Sequence, residues 1–225
     1  MYKRQFKNIP QRSYKNNNKI NERGNLSGKK VIYCPLQVGS DTQIVKYGDW
    51  IKSIDQFIDI LARLVKSLPS DWVLLLREHP SSDINYSKKL KKLQSDSFKV
   101  DNVTPSTDLI ELSKVIVTVN SSVGFHALLK NKPVITLGHA FWGFTPLAFK
   151  ANNERDVIYF FSNIESLSPD RQSISSFITY LFSKKFINNP CQNKPTIFSD
   201  HEINIIESEI LKSLEHYTKK NKSPI

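Results

Sequence analysis

The stretch that most limits what this chain can become is Val115-Ile116-Val117-Thr118-Val119, then Asn120-Ser121-Ser122, then Val123 to Leu129, then Pro133-Val134-Ile135-Thr136-Leu137. It reads as strand, hydroxyl-rich turn, helix, strand. Two strands joined by a helix run parallel, and a parallel pair needs such a crossover. A helix that opens on two serines also presents unpaired backbone N–H groups, the positive end of its dipole and two hydroxyls, which suit a phosphate. The expected ligand is therefore phosphorylated.

The same alternation extends in both directions. Lys30 to Pro35 is a β-rich run ended by proline, followed by a polar loop from Leu36 to Gly48. From Asp49, placed to cap, Ile51, Ile54, Ile58, Leu61, Val65 and Leu68 recur at three- and four-residue spacing, and Pro69 stands just beyond; this predicts an amphipathic helix. Trp72 to Leu76 is continuously apolar, as in a strand covered on both faces, and delivers Arg77-Glu78-His79-Pro80 at its end. A basic helix over Tyr86 to Leu93, a short strand Phe98-Lys99-Val100 and a helix capped by Ser106 or Thr107 complete the approach to Val115. Beyond Thr145 the pattern predicts a strand at Val157 to Phe161, a helix over Asp170 to Ser183 and a last helix, Glu202 to Tyr217, capped by Asp200.

Strands alternating with helices, without hairpin turns, define an α/β fold: a Rossmann-like parallel sheet with helices on both faces. Ligands bind such sheets beyond the carboxyl ends of the strands. The loops 36–48, 78–82, 120–122 and 138–145 all follow apolar strands and should converge on one crevice. The expected organisation is a basic leader over residues 1–28, one domain over 29–217 and a polar, frayed tail over 218–225.

Charge and cysteines bound the class. Of the net charge of +11, eight units fall in residues 1–30, where nine Lys or Arg face Glu22 alone. A segment this polar cannot bury enough surface to offset its ordering entropy, so it reads as a flexible leader. Attraction of its lysines to anionic membrane headgroups or nucleic acid is the alternative, although no nucleic-acid motif is present and Tyr2, Phe6 and Tyr14 form no stacking pattern. Cys34 and Cys191 make no disulfide framework and neither lies in a CxxC pair. No apolar run reaches the roughly 20 residues a membrane span needs. The expected location is cytoplasmic, with peripheral contact at the inner face of the inner membrane through the leader as a variant.

Pro35-Leu36-Gln37-Val38-Gly39-Ser40-Asp41-Thr42-Gln43-Ile44, the Arg77-Glu78-His79-Pro80 turn and Asn120-Ser121-Ser122-Val123-Gly124-Phe125 occur in an order that resembles the bacterial capsule-polysaccharide synthesis family, which includes β-Kdo glycosyltransferases. The resemblance covers roughly residues 30–145. It implies the nucleotide-binding half of a two-domain, GT-B glycosyltransferase using a CMP-Kdo donor. The implied His-Pro motif is similar to that of sialyltransferases, so His79 is expected to contact the donor phosphate, with Pro80 stiffening the turn that aims it. Ser121 and Ser122, following Asn120, are expected to bind phosphate oxygens, or to cap the helix, or to divide these tasks.

Asp41 matches the position at which some transferases of this type are thought to use an aspartate nucleophile. Its alternatives are a general base and a loop residue bonded to its own turn. Gln37 and Gln43 are candidate ligands of sugar hydroxyls or carboxylate, or simply solvated. Arg77 and Glu78 are candidate binding groups that can equally support the turn, with Glu78 in reserve for acid or base work. Gly138 opens a small aromatic loop, Gly138 to Gly143, that resembles the family's, and its aromatic residues are expected to shape the nucleotide pocket or, equally, to serve in the core or as a lid. His126 and His139 are not at metal-ligand spacing and no DxD sequence occurs, so a metal-independent site without cofactor is expected. A two-domain enzyme also needs a glycan or glycolipid acceptor side, here expected from a further domain or a second polypeptide. The competing expectation is a nonenzymatic nucleotide-sugar-binding or scaffold protein.

Overall fold

A computed structural model describes residues 24–82 and 84–184. The expected leader as far as Arg23, the helix expected after Asp200, the polar tail and Cys191 lie outside the described residues. One compact unit runs through Ile174, and a second begins at Ser175.

Six strands form one sheet: β1 (Lys30–Pro35), β2 (Trp72–Arg77), β3 (Phe98–Val100), β4 (Val115–Thr118), β5 (Val134–Thr136) and β6 (Phe149–Lys150). Every pairing is parallel and the spatial order is β3-β2-β1-β4-β5-β6. This is the doubly wound order in which the winding direction reverses between β1 and β4. The long β1–β2 register, from Lys30 opposite Trp72 to Pro35 opposite Arg77, is buried almost throughout. That burial is why both strands are written as continuous apolar runs.

Alternation along β1 sorts the two faces. Ile32 and Cys34 belong to the core packed beneath α2 (Ile54–Leu64), with Leu74, Leu76, Val115, Val117 and Ile135. Tyr33 points the other way and its hydroxyl meets Ser106 Oγ at 2.7 Å, at the start of α4 (Ser106–Leu112). The phenol is pushed up mainly by burial, offset by hydrogen bonds to Ser106 and Arg77. α4 packs on β1, and α5 (Ser122–Leu129) on β4 and β5. Helices therefore cover both faces, as expected. The Cys34 thiol is fully buried and pushed far up by desolvation, so it packs as a small apolar group.

Five sequence expectations are corrected. α4 is capped by neither Ser106 nor Thr107: Pro105 holds the N-cap position, and the Ser106 hydroxyl is taken by Tyr33. The loop after β1 contains a short helix, α1 (Thr42–Tyr47), capped by Asp41. The next helix begins at Ile54 rather than near Asp49: Ser53 Oγ accepts the N–H of Gln56 at 3.0 Å, and Gln56 Oε1 accepts that of Lys52 at 2.7 Å. This reciprocal closure outcompetes a carboxylate four residues upstream. Asp49 instead adopts φ 61, a left-handed conformation that Asp tolerates better than most residues. Next, the edge strand β6, two residues long, was too short to leave a periodic signal.

The last correction is the expected strand at Val157 to Phe161, which is part of a helix, α6 (Glu154–Ser162). Asn153 Oδ1 accepts the N–H groups of Arg155 and Asp156, at 2.9 and 3.2 Å, which starts the helix firmly. Val157 and Phe161, four apart, are fully buried, whereas Ile158 and Tyr159 between them are exposed. Burying that pair contributes roughly 3–5 kcal/mol, more than the spread of about 1 kcal/mol in strand propensity that the β-branched and aromatic run advertises. The helix expected over Asp170 to Ser183 is present as α7 (Arg171–Lys184), with Asp170 accepting Ser173 N at 3.0 Å. The basic helix expected over Tyr86 to Leu93 is α3 (Ser87–Leu93).

Trp142, buried to 1% exposure, seats directly over Gly124 of α5. A Cβ on Gly124 would lie 2.3 Å from the indole ring. Gly124→Ala should therefore lower stability by about 1–3 kcal/mol, even though alanine is the better helix former by about 1 kcal/mol. Thermal denaturation checks this, and an unchanged or raised midpoint would contradict the packing described.

Candidate functional site

The floor of the site is built by two side-chain amides at the point where the sheet's winding reverses. Gln37, just beyond β1, donates from Nε2 to Asn120 Oδ1 at 2.9 Å, and its Oε1 accepts the Asn120 N–H at 3.3 Å. Asn120, just beyond β4, spends both Nδ2 protons on α1, donating to Gln43 O at 2.7 Å and Tyr47 O at 3.0 Å. Gln37 and Asn120 are nearly inaccessible, so unpaired amides here would be costly. Their pairing ties β1, β4 and α1 into one rim.

Around this floor lies a cavity of about 600 Å³. Gln37, Val38 and Asp41 reach it from the loop after β1, with Gln43 and Tyr47 from α1. His79 reaches it from β2, Asn120, Ser121 and Ser122 from β4, and His139 to Trp142 from β5. The expected convergence of separate loops is thus present at the strand carboxyl ends.

Each lining group has a definite local role. Asp41 is the N-cap of α1, with Oδ1 accepting the Gln43 N–H at 2.9 Å. His79 Nδ1 accepts the Ser81 N–H at 3.1 Å, which leaves Nε2 to carry the proton of the neutral ring. Ser121 is the N-cap of α5: its Oγ accepts the Val123 N–H at 3.2 Å, and its own N–H donates to Thr118 Oγ1 at 3.3 Å. The serine pair therefore divides. Ser121 caps, and Ser122, exposed in the first helical position, lines the cavity.

Four of the expected site residues are not on the cavity wall. Glu78 is buried to 5% exposure and its carboxylate accepts from Tyr86 N at 3.2 Å, Ser87 Oγ at 3.2 Å and Asn102 Nδ2 at 2.9 Å. It stitches the end of β2 to the start of α3 and the segment after β3, away from the cavity lining. Arg77 ends β2 beside the Tyr33 phenol, and its carbonyl accepts the Leu36 N–H at 2.8 Å. Pro80 lies within the His79 turn, closed by Ser82 N donating to His79 O at 2.9 Å. Gly138 packs under the rim: a Cβ would come within 2.8 Å of Val119 Cγ1 and 2.9 Å of Tyr47 O. Its part is close approach between backbones.

Sequence reasoning missed a polar cluster beside the mouth. Lys150 Nζ donates to Asp49 Oδ2 at 3.0 Å and to Gly138 O at 2.9 Å. His139 Nε2 lies 3.5 Å from the same Asp49 oxygen, and the His139 N–H donates to Tyr47 O at 2.8 Å. Desolvation alone would raise Asp49, but the hydrogen bond and charge of Lys150, with His139 and Lys52, hold its carboxyl below the usual range. The only forewarning was Asp49 itself, which resembled a helix cap. No group of three or more His, Cys, Asp or Glu side chains suited to a metal ion occurs among the described residues, nor any helix long and apolar enough to cross a membrane.

A doubly wound parallel sheet with a polar cavity at its winding reversal defines a Rossmann-type ligand-binding domain. The chain belongs to the capsule polysaccharide biosynthesis protein family, whose model matches residues 1–191. It is 25% identical over 176 residues to Protein FixF of Sinorhizobium fredii, covering 78% of this chain and 43% of that protein. To the capsule polysaccharide export protein KpsS of Escherichia coli it is 24% identical over 160 residues, covering 68% and 40%. This chain thus spans less than half the length of those curated relatives. Among solved structures it is similar to the Thermosulfurimonas dismutans KpsC β-Kdo 2,7 transferase, with a TM-score of 0.45 and 22% identity over 59% of this chain and 44% of that one. A wall teichoic acid polymerase TagF variant gives a TM-score of 0.45 and 20% identity over 84% and 45%.

Because the Asp49 carboxyl is depressed in the folded chain, its pairing stabilises the fold above the ordinary value of 3.8, and that contribution is lost as pH falls through the lower folded value. Asp49→Asn, which keeps the tolerance for φ 61, should cost up to about 1 kcal/mol at neutral pH. The difference should shrink as pH falls below 3.8 and through the lower folded value. Denaturant titrations of both proteins between pH 2 and 7 measure it, and a gap that stays constant with pH would refute the pairing.

Proposed function

We propose that this chain is the donor-binding half of a GT-B glycosyltransferase that uses a CMP-activated, Kdo-type sugar in capsule or related surface-polysaccharide synthesis. One observation carries this reading: Asp41, His79 and Ser122, from three separate loops, share one cavity at the winding reversal of a parallel sheet. The donor phosphate lies at the N-terminus of α5, where backbone N–H groups, the helix dipole and the Ser122 hydroxyl meet its charge. His79, with its ring proton on Nε2, donates to the departing phosphate as negative charge develops there.

Asp41 is then the nucleophile. A carboxylate oxygen attacks the anomeric carbon, the bond from that carbon to the phosphate oxygen breaks, and CMP leaves with the electron pair. An acceptor hydroxyl next attacks the same carbon, its proton passes to solvent, and the aspartate is released, so two inversions give net retention. No metal or cofactor takes part in this scheme. The acceptor glycan or glycolipid is presented by a further domain or partner chain, at the inner face of the inner membrane. The use of one Asp41 oxygen as a helix cap favours a second reading, a nucleotide-sugar-binding module without chemistry.

Calorimetry should show CMP binding with millimolar or tighter affinity, weakened about tenfold by His79→Ala, a loss of about 1.4 kcal/mol. No heat of binding to the folded parent would refute the donor reading. Intact-mass measurement with CMP-Kdo should reveal a sugar adduct that Asp41→Asn abolishes, asparagine being an equally good cap. Unaltered mass with CMP binding retained would instead establish the module without chemistry.

A further inference from the structure

We propose that His139 is the general base that takes the acceptor's proton when the Asp41 adduct is opened, with Asp49 as the residue that positions its ring. The inference rests on the donor and adduct scheme above and gives the acceptor proton, there released to solvent, a defined first destination.

In-line displacement decides which wall the acceptor meets. In the adduct Asp41 holds one face of the anomeric carbon, so the incoming hydroxyl enters from the opposite face, the one CMP has left. The carboxyl-end loops stand side by side in the order β2, β1, β4, β5, which places His79, then Asp41, then Ser121 and Ser122, then His139 along the cavity. The vacated phosphate place is at the start of α5, so a hydroxyl that takes it stands between Asp41 and the loop after β5. Of the lining residues of that loop, His139 to Trp142, His139 alone carries a titratable group.

Its surroundings suit a base. The His139 backbone N–H donates to Tyr47 O at 2.8 Å, which fixes the residue against the end of α1. Its Nε2 lies 3.5 Å from Asp49 Oδ2. A neutral imidazole that turns its one proton toward that carboxylate keeps its lone pair on Nδ1, where a proton can be accepted. Catalytic hydrogen bonds often stand long until substrate binds and then tighten. Asp49 is itself fixed, because Lys150 Nζ donates to its Oδ2 at 3.0 Å and to Gly138 O at 2.9 Å. β6 thus holds both the carboxylate and the start of the loop that bears the histidine. Lys52, whose Nζ donates to the Asp49 carbonyl, is the further charge acting on this carboxylate. A carboxylate that sets the tautomer of a histidine, and faces the imidazolium once it forms, is the arrangement that makes a histidine an effective base.

In the step, the acceptor oxygen bonds to the anomeric carbon while the bond from that carbon to the Asp41 oxygen breaks, and Asp41 keeps the electron pair. The hydroxyl proton passes to His139 Nδ1 and from there to solvent.

The rate at which the adduct is lost to water, the simplest acceptor hydroxyl, tests this. The whole chain is charged with CMP-Kdo, desalted, and followed by intact mass, with the thermal midpoint of each variant showing that it folds. His139→Gln, similar in size but unable to hold the proton, should form the adduct and lose it about a hundredfold more slowly than the parent. Asp49→Asn, whose amide can turn an N–H toward the ring and upset its tautomer, should slow the loss about tenfold or more. Free imidazole should restore the loss in His139→Ala. Loss at the parent's rate in His139→Gln, or no restoration by imidazole, overturns the base while the adduct scheme stands. Failure of His139→Gln to form the adduct also overturns it, by moving the residue's part to the donor step. A parent that forms no adduct removes the scheme and the inference together.

Discussion

The side chain of Asn120 is the interaction on which the rest of the site depends. A doubly wound sheet leaves a gap where its winding reverses, because the loops after β1 and β4 diverge to opposite faces. Asn120 spans that gap with every polar atom engaged, accepting from Gln37 and donating twice to the backbone of α1. Replacing it by an apolar residue would strand the buried Gln37 Nε2 donor, at roughly 1–3 kcal/mol, and remove a donor from Gln43 O and Tyr47 O, the latter keeping the His139 N–H. Asp41 and Tyr47 sit at the two ends of α1, so the position of both follows from this one amide.

From that floor the walls acquire different chemistry. The β1 side offers a carboxylate and amides, the β4 side a helix N-terminus with hydroxyls, and the β5 side aromatic rings. The segregation has a packing origin. Gly138 and Gly124 let the β5 loop lie against Val119, Tyr47 and α5, and Trp142 locks it there. Outside this contact, Lys150 and Asp49 neutralise each other next to His139, which keeps a charged strand edge from dominating the mouth.

Much of this was legible in the sequence, and the parts that were not share a cause. Strands buried on both faces, such as Trp72 to Leu76, announce themselves by composition alone, and the Ser121-Ser122 turn by its hydroxyls at a helix start. The convergence of Asp41, His79 and the serine pair followed from the rule that loops at strand carboxyl ends meet. Val157 to Phe161 misled because five consecutive apolar and aromatic residues fit a strand as well as a helix, and only burial at four-residue spacing decides between them. Asp49 misled because a carboxylate ahead of an apolar helix resembles a cap, whereas its real partner, Lys150, is about a hundred residues distant. Glu78, Arg77, Pro80 and Gly138 stand at the right strand ends, yet their side chains or their compactness serve the scaffold, a distinction that depends on contacts no spacing reveals.

The central claim is that one anion-receptive crevice lies at the winding reversal, and amide mapping by NMR during a CMP titration addresses it most directly. Shifts should concentrate on the N–H groups of Ser122, Val123 and Gly124 and on His79 and the residues about Asp41. A titration that moves amides at the amino ends of the strands, or leaves the start of α5 untouched, would contradict it.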